Sequence, residues 1–148
     1  MKKISIGILA GVVALLLIIQ IVPYGRQHTN PAVLQEPQWD SPQTRELVKR
    51  ACFDCHSNET VWPWYSNIAP FSWLVQHDVD EGRSRVNFSE WGQGIETGFE
   101  IAGVVSQGEM PPTIFLLMHK SARLSAQEKE ALLAGLWATF RISVSLLE

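Results

Sequence analysis

The chain of 148 residues contains two cysteines, and they fall three apart with a histidine directly behind them, Cys52-Phe53-Asp54-Cys55-His56. No other feature limits the fold so tightly. On a helical turn, side chains at i and i+3 point the same way, so both sulfurs and the next imidazole face one object. This spacing is the attachment signature of c-type haem. The thiols of Cys52 and Cys55 would reach the two vinyl groups as thioethers, and His56 would be aimed at the iron as its proximal ligand. The second ring nitrogen of His56 is expected to donate to a carbonyl, which fixes the tautomer. Three other readings stay open. A zinc site wants four ligands, and neither a second cysteine pair nor a spaced histidine pair completes one. A redox pair of the thioredoxin type expects a βαβ context and leaves His56 idle. A disulfide between Cys52 and Cys55 would close a very short loop and stabilise little.

A second iron ligand would come from Met110, Met118, His77 or His119. Met110 is the expected one. It sits in Gly108-Glu109-Met110-Pro111-Pro112, where the prolines stiffen a turn that would hold a thioether in place. Met118, at the end of Ile114-Phe115-Leu116-Leu117-Met118, reads as core packing. His119 would ligate if its loop turned differently, and His77 reads as a surface or supporting histidine. Arg83 and Arg85 either pair with a haem propionate, a role suited to the bidentate guanidinium, or are solvated surface charge.

The N-terminus is a different kind of signal. From Ile4 to Val22 no residue is charged. As a helix at about 1.5 Å per residue this stretch is about 28 Å long, close to the roughly 30 Å apolar core of a bilayer. Lys2 and Lys3 precede it and would stay on the cytoplasmic side. The expectation is an uncleaved membrane anchor over residues 1–23, crossing the lipid bilayer through residues 4–22. The remainder would then lie on the periplasmic side of the cytoplasmic membrane. A cleaved signal peptide is the competing reading, but Gln20-Ile21-Val22-Pro23-Tyr24 offers no small-x-small site.

The net charge is −3 and the isoelectric point is near 5.8, which argues against a nucleic-acid partner. Without Lys2 and Lys3, ten basic residues face fifteen acidic ones. That excess favours redox partners with a basic docking face, or it is simply a solvated surface.

Residues 24–40, with Pro31 and Pro37, read as a linker, and residues 41–148 as the haem-carrying domain. Helix signals begin at Ser41-Pro42, a cap followed by proline at the first helical position, and run to Ala51. A second helix is expected over about 70–82, burying Phe71, Leu74, Val75 and Val79. A third is expected over about 95–106, carrying Ile95, Phe99, Ala102 and Val105, with Gly108 as its stop. The last opens with the capping box Ser125-Ala126-Gln127-Glu128 and continues with Leu132, Leu133, Leu136, Trp137 and Phe140. No strand pattern competes, so the fold class is all-α. Between the first two helices, the loop-like stretch 60–70 holds Trp62, Trp64 and Tyr65, aromatics that want a flat apolar group to cover.

The chain resembles the haem-binding domain family, small exported cytochrome c-like proteins. The likeness rests on Cys52-Phe53-Asp54-Cys55-His56-Ser57-Asn58, Trp62-Pro63-Trp64-Tyr65, Ala69-Pro70, His77-Asp78-Val79, Asn87-Phe88-Ser89, Gly108-Glu109-Met110-Pro111 and Ala122-Arg123-Leu124-Ser125. It implies a small cytochrome c-like helical domain around one covalent haem c and its iron. The expected activity is one-electron transfer with His56 and Met110 as axial pair, by a carrier rather than an enzyme. Two rivals are a peroxidase-like or ligand-sensing haem with an open sixth site, and a non-haem thiol or zinc module.

Overall fold

The computed structural model describes residues 2–92 and 98–145. Among the described residues seven α-helices follow one another: α1 (Lys2–Ile18), α2 (Pro42–Ala51), α3 (Phe53–His56), α4 (Phe71–Arg85), α5 (Gly98–Gln107), α6 (Thr113–Met118) and α7 (Ala126–Ser145). Short 3₁₀ turns stand at Ile19–Ile21, Trp64–Asn67 and Lys120–Ala122. Among the described residues the extended pairing is confined to one isolated bridge, between Gln35 and Glu90. The all-α expectation agrees with this architecture.

The membrane anchor does not. No helix among the described residues is long and apolar enough to cross a membrane. The α-helix spans 17 residues, begins with the two lysines and ends at Ile18; at about 1.5 Å per residue it is about 26 Å long, short of a bilayer core. Beyond it the chain tightens into the 3₁₀ turn, and Val22 is already extended. Within that turn Gln20 faces protein. Its amide donates to Ala69 O at 2.8 Å and accepts from Ala69 N at 3.0 Å, fastening this end of the segment to the loop before α4. The expected transmembrane helix over 4–22, and with it the single-pass placement of the domain on the periplasmic side, is therefore corrected.

Local sequence explains where the other helices start. The Ser41 side chain accepts from Thr44 N at 3.2 Å, and Pro42 occupies the first position of α2, where its missing N–H costs nothing. At α7, Ser125 N donates to Glu128 Oε2 at 2.8 Å and Glu128 N donates to Ser125 Oγ at 3.2 Å. This is the reciprocal box expected there. The third expected helix is α5; its Ala102 and Val105 are buried while Phe99 is exposed. Ile95 lies outside the described residues. The tail from Arg141 to Ser145 continues α7.

α2, α5 and α7 pack around a core of Leu47, Val48, Ala102, Val105, Leu132 and Leu136. A column of rings extends it. Phe53 stacks on Phe88 at 5.8 Å, Phe88 on Trp91 at 6.0 Å, and Trp91 on Phe140 at 5.3 Å between centroids. Residues 24–40 run along this body. Leu34 N donates to Ser89 O at 2.8 Å, Trp39 packs on Phe88, and Arg45 binds Glu36 through two nitrogens at 2.6 and 2.8 Å.

Candidate functional site

Cys52, Cys55 and His56 sit on α3 and its N-terminal cap, wedged between α2 and α4. Two backbone bonds form the turn, Cys55 N and His56 N both donating to Cys52 O at 3.2 and 2.9 Å. Buried Phe53 pins the turn to the core. Both cysteines are free thiols. Burial pushes Cys52 and Cys55 up to about 12, so both sulfurs stay protonated at neutral pH. A dithiol redox centre needs the opposite, a thiol lowered toward neutrality.

His56 is held from behind. Its Nδ1 lies 3.0 Å from Gly82 O and 3.2 Å from Val86 O, both at the end of α4. Carbonyls only accept, so Nδ1 carries the proton and Nε2 of the neutral ring keeps a free lone pair. Burial holds the imidazole below its usual pKa and favours that neutral form. α4 can approach this closely because residue 82 is glycine: a Cβ there would collide with the Cys55 carbonyl oxygen and stand 2.9 Å from its carbon.

Around the imidazole the chain is locked by a polar network with no assigned role in the sequence analysis. Phe88 N donates to His56 O at 2.8 Å, Asn58 N to Ser89 Oγ at 2.9 Å, and Asn87 Nδ2 to Asn58 Oδ1 at 3.0 Å. The segments Ser57-Asn58 and Asn87-Phe88-Ser89 thus tie the exit from the motif to the chain leaving α4. Arg83 serves the same frame. It donates to Ser57 O, Thr29 O, Asn30 Oδ1 and Thr60 Oγ1 at 2.8–3.1 Å, while Arg85 pairs with Glu81. The guanidinium considered for a propionate is committed to the protein itself.

Beside Cys55 opens an apolar cavity of about 200 Å³, walled by Tyr65, Phe71, Leu74, Val79, Phe115 and Met118 among others. Phe71 and Leu74, expected in the core, are half-exposed and line this cavity instead. Of the candidate second ligands, Met118 and His119 reach the cavity wall. Met110 does not: it follows α5 in the turn after Gly108 and is 36% exposed. His77 lies on the outer face of α4 with Nε2 at 3.4 Å from Glu81. Trp62 stacks on His28 at 4.6 Å, and Trp137 packs on Phe99. Among the described residues no three His, Cys, Asp or Glu side chains converge to hold a metal ion by themselves, so the zinc reading has no donor set.

The donor chemistry fits haem: two protonated thiols on one turn, a neutral imidazole with its far nitrogen anchored, and an apolar cavity beside them. A model of the haem-binding domain family matches residues 14–138. The chain belongs to the haem-binding domain family. No curated protein and no solved structure matches it. As a haem-binding domain the protein takes haem as its cofactor, and the expectation of that family is met.

Proposed function

We propose that this haem-binding domain is a single-haem c-type cytochrome that carries one electron at a time. Cys52 and Cys55 would hold the haem through thioethers, with His56 and Met110 as the axial pair. Bound haem supplies a one-electron iron couple; a filled axial pair suits electron transfer, and a thioether raises the potential relative to two imidazoles.

The residues of the chain do the positioning. Gly82 O keeps the proton on Nδ1 of His56, so Nε2 is the nitrogen free to ligate. Phe53 and the Asn58–Ser89–Asn87 network prevent α3 from turning. The proline pair after Met110 restricts how far its sulfur can wander. The acidic excess, fifteen residues against twelve basic, supports redox partners with a basic docking face.

The observation that carries this reading is His56, anchored through Nδ1 to Gly82 O, directly behind two free thiols on one turn. Its test is the optical and redox behaviour of the matured protein. A methionine-to-ferric charge-transfer band and a one-electron Nernst curve are expected. Tight carbon monoxide binding by the reduced protein would overturn the reading in favour of a haem with an open sixth site.

A further inference from the structure

Two of the four histidines share an arrangement that the others lack. Nδ1 of His56 lies 3.0 Å from Gly82 O, and Nδ1 of His119 lies 3.0 Å from Phe115 O. A carbonyl only accepts, so in both rings Nδ1 is the donor and Nε2 is the nitrogen left to offer a lone pair, the tautomer in which a histidine binds a metal. His28 instead uses Nε2 on Ser66, and His77 directs Nε2 to Glu81.

His119 is also aimed and held. Its ring stacks on Phe115 at 3.9 Å with 14° between planes. Tyr65 stands edge-on to it, with the hydroxyl 3.3 Å from Nε2. With the proton on Nδ1, that hydroxyl is the donor and Nε2 the acceptor, through a long bond that is easily given up. Tyr65, His119 and Cys55 line one cavity, whereas Met110 lies outside its wall and is partly exposed.

We propose that His119 is a reserve iron ligand, built to take the sixth position when Met110 leaves it. The proposal rests on the covalent haem reading above. In the exchange the bond from iron to the Met110 sulfur would break and one to Nε2 of His119 would form. No electron moves, and no proton has to, because Nε2 carries none and Nδ1 keeps its own on Phe115 O. Tyr65 holds Nε2 until then. Two imidazoles lower the reduction potential relative to an imidazole and a thioether, so the exchange gives one chain two potentials.

The test compares matured holoproteins by electron paramagnetic resonance and near-infrared spectroscopy. Met110→Ala is expected to stay low-spin, with a bis-imidazole signature and a lowered potential. Met110→Ala/His119→Ala and Met110→Ala/His119→Gln are expected to turn high-spin and to return to low spin on adding imidazole. The glutamine variant keeps a side chain of similar reach where alanine would loosen the loop. A high-spin Met110→Ala protein overturns the proposal, as do double variants that remain low-spin without imidazole. The wild-type methionine charge-transfer band reads the Met110 assignment separately, and haem that survives denaturation reads the covalent attachment.

Discussion

Replacing Gly82 by alanine tests how tightly the Cys52–His56 turn is clamped. Two effects oppose each other. Alanine favours a helix over glycine by about 1 kcal/mol, and residue 82 lies inside α4. Against this, the new Cβ would collide with the carbonyl oxygen of Cys55, stand 2.9 Å from its carbonyl carbon and 3.1 Å from its Cβ. These atoms belong to the backbone and first carbon of α3 and cannot rotate away. Overpacking costs about 1–3 kcal/mol, and an obstacle made of backbone belongs at the upper end. The net is a loss of about 2 kcal/mol, or roughly 4–8 °C in Tm for a chain of this size. Gly103→Ala is the control. It sits inside α5, its Cβ would meet nothing nearer than Gln107 Nε2 at 3.8 Å, and it should gain up to about 1 kcal/mol. Thermal unfolding of the two holoproteins, followed by far-ultraviolet circular dichroism, should therefore move in opposite directions. The Gly82 variant should also carry less covalent haem per chain, because α4 supplies the carbonyl behind His56. A Gly82→Ala protein that melts at or above the wild type with full haem content would refute the clamp.

Acid stability should depend on Glu36. Hydrogen bonds from Arg45, and then from Trp39, hold its carboxyl below the usual range against the opposing effect of burial. Its contribution is therefore present above the unfolded pKa and lost as the pH falls through the lowered folded value. Glu36→Gln should cost about 1 kcal/mol at neutral pH, since the pair is partly exposed, and should flatten the loss of stability below about pH 4. An acid limb identical to the wild type in urea titrations would contradict this. Arg83→Lys should cost about 2 kcal/mol, because one ammonium cannot replace a fork that reaches Ser57, Thr29, Asn30 and Thr60 together. A chemical-denaturation midpoint within error of the wild type would remove Arg83 from the frame.

What the sequence discloses here is what local chemistry controls. Ser41-Pro42 and the Ser125–Glu128 box mark the starts of α2 and α7 because capping is settled within four residues. The cysteine and histidine spacing points to haem for the same reason. The second helix, expected over about 70–82, runs on past Gly82 to Arg85, and the glycine serves a close approach to α3. α3 and α6 escape notice because four and six residues are too few to display a period. The apolar run 114–118 reads as core, yet Ile114, Leu117 and Met118 are exposed beside the cavity. Contacts across distance leave no local trace. Gly82 lies 26 residues from His56, His119 lies 54 from Tyr65, and Gln20 reaches Ala69 across 49. That last bond belongs to the segment whose apolarity alone suggests a membrane span.

The central claim is that Cys52 and Cys55 carry one haem through carbon–sulfur bonds. Intact-mass spectrometry of the chain, matured with a cytochrome c assembly system and then denatured, measures it directly. The account predicts one haem mass added to the wild type and none to Cys52→Ala/Cys55→Ala. A wild-type chain that sheds its haem on denaturation, leaving the bare polypeptide mass, would contradict it.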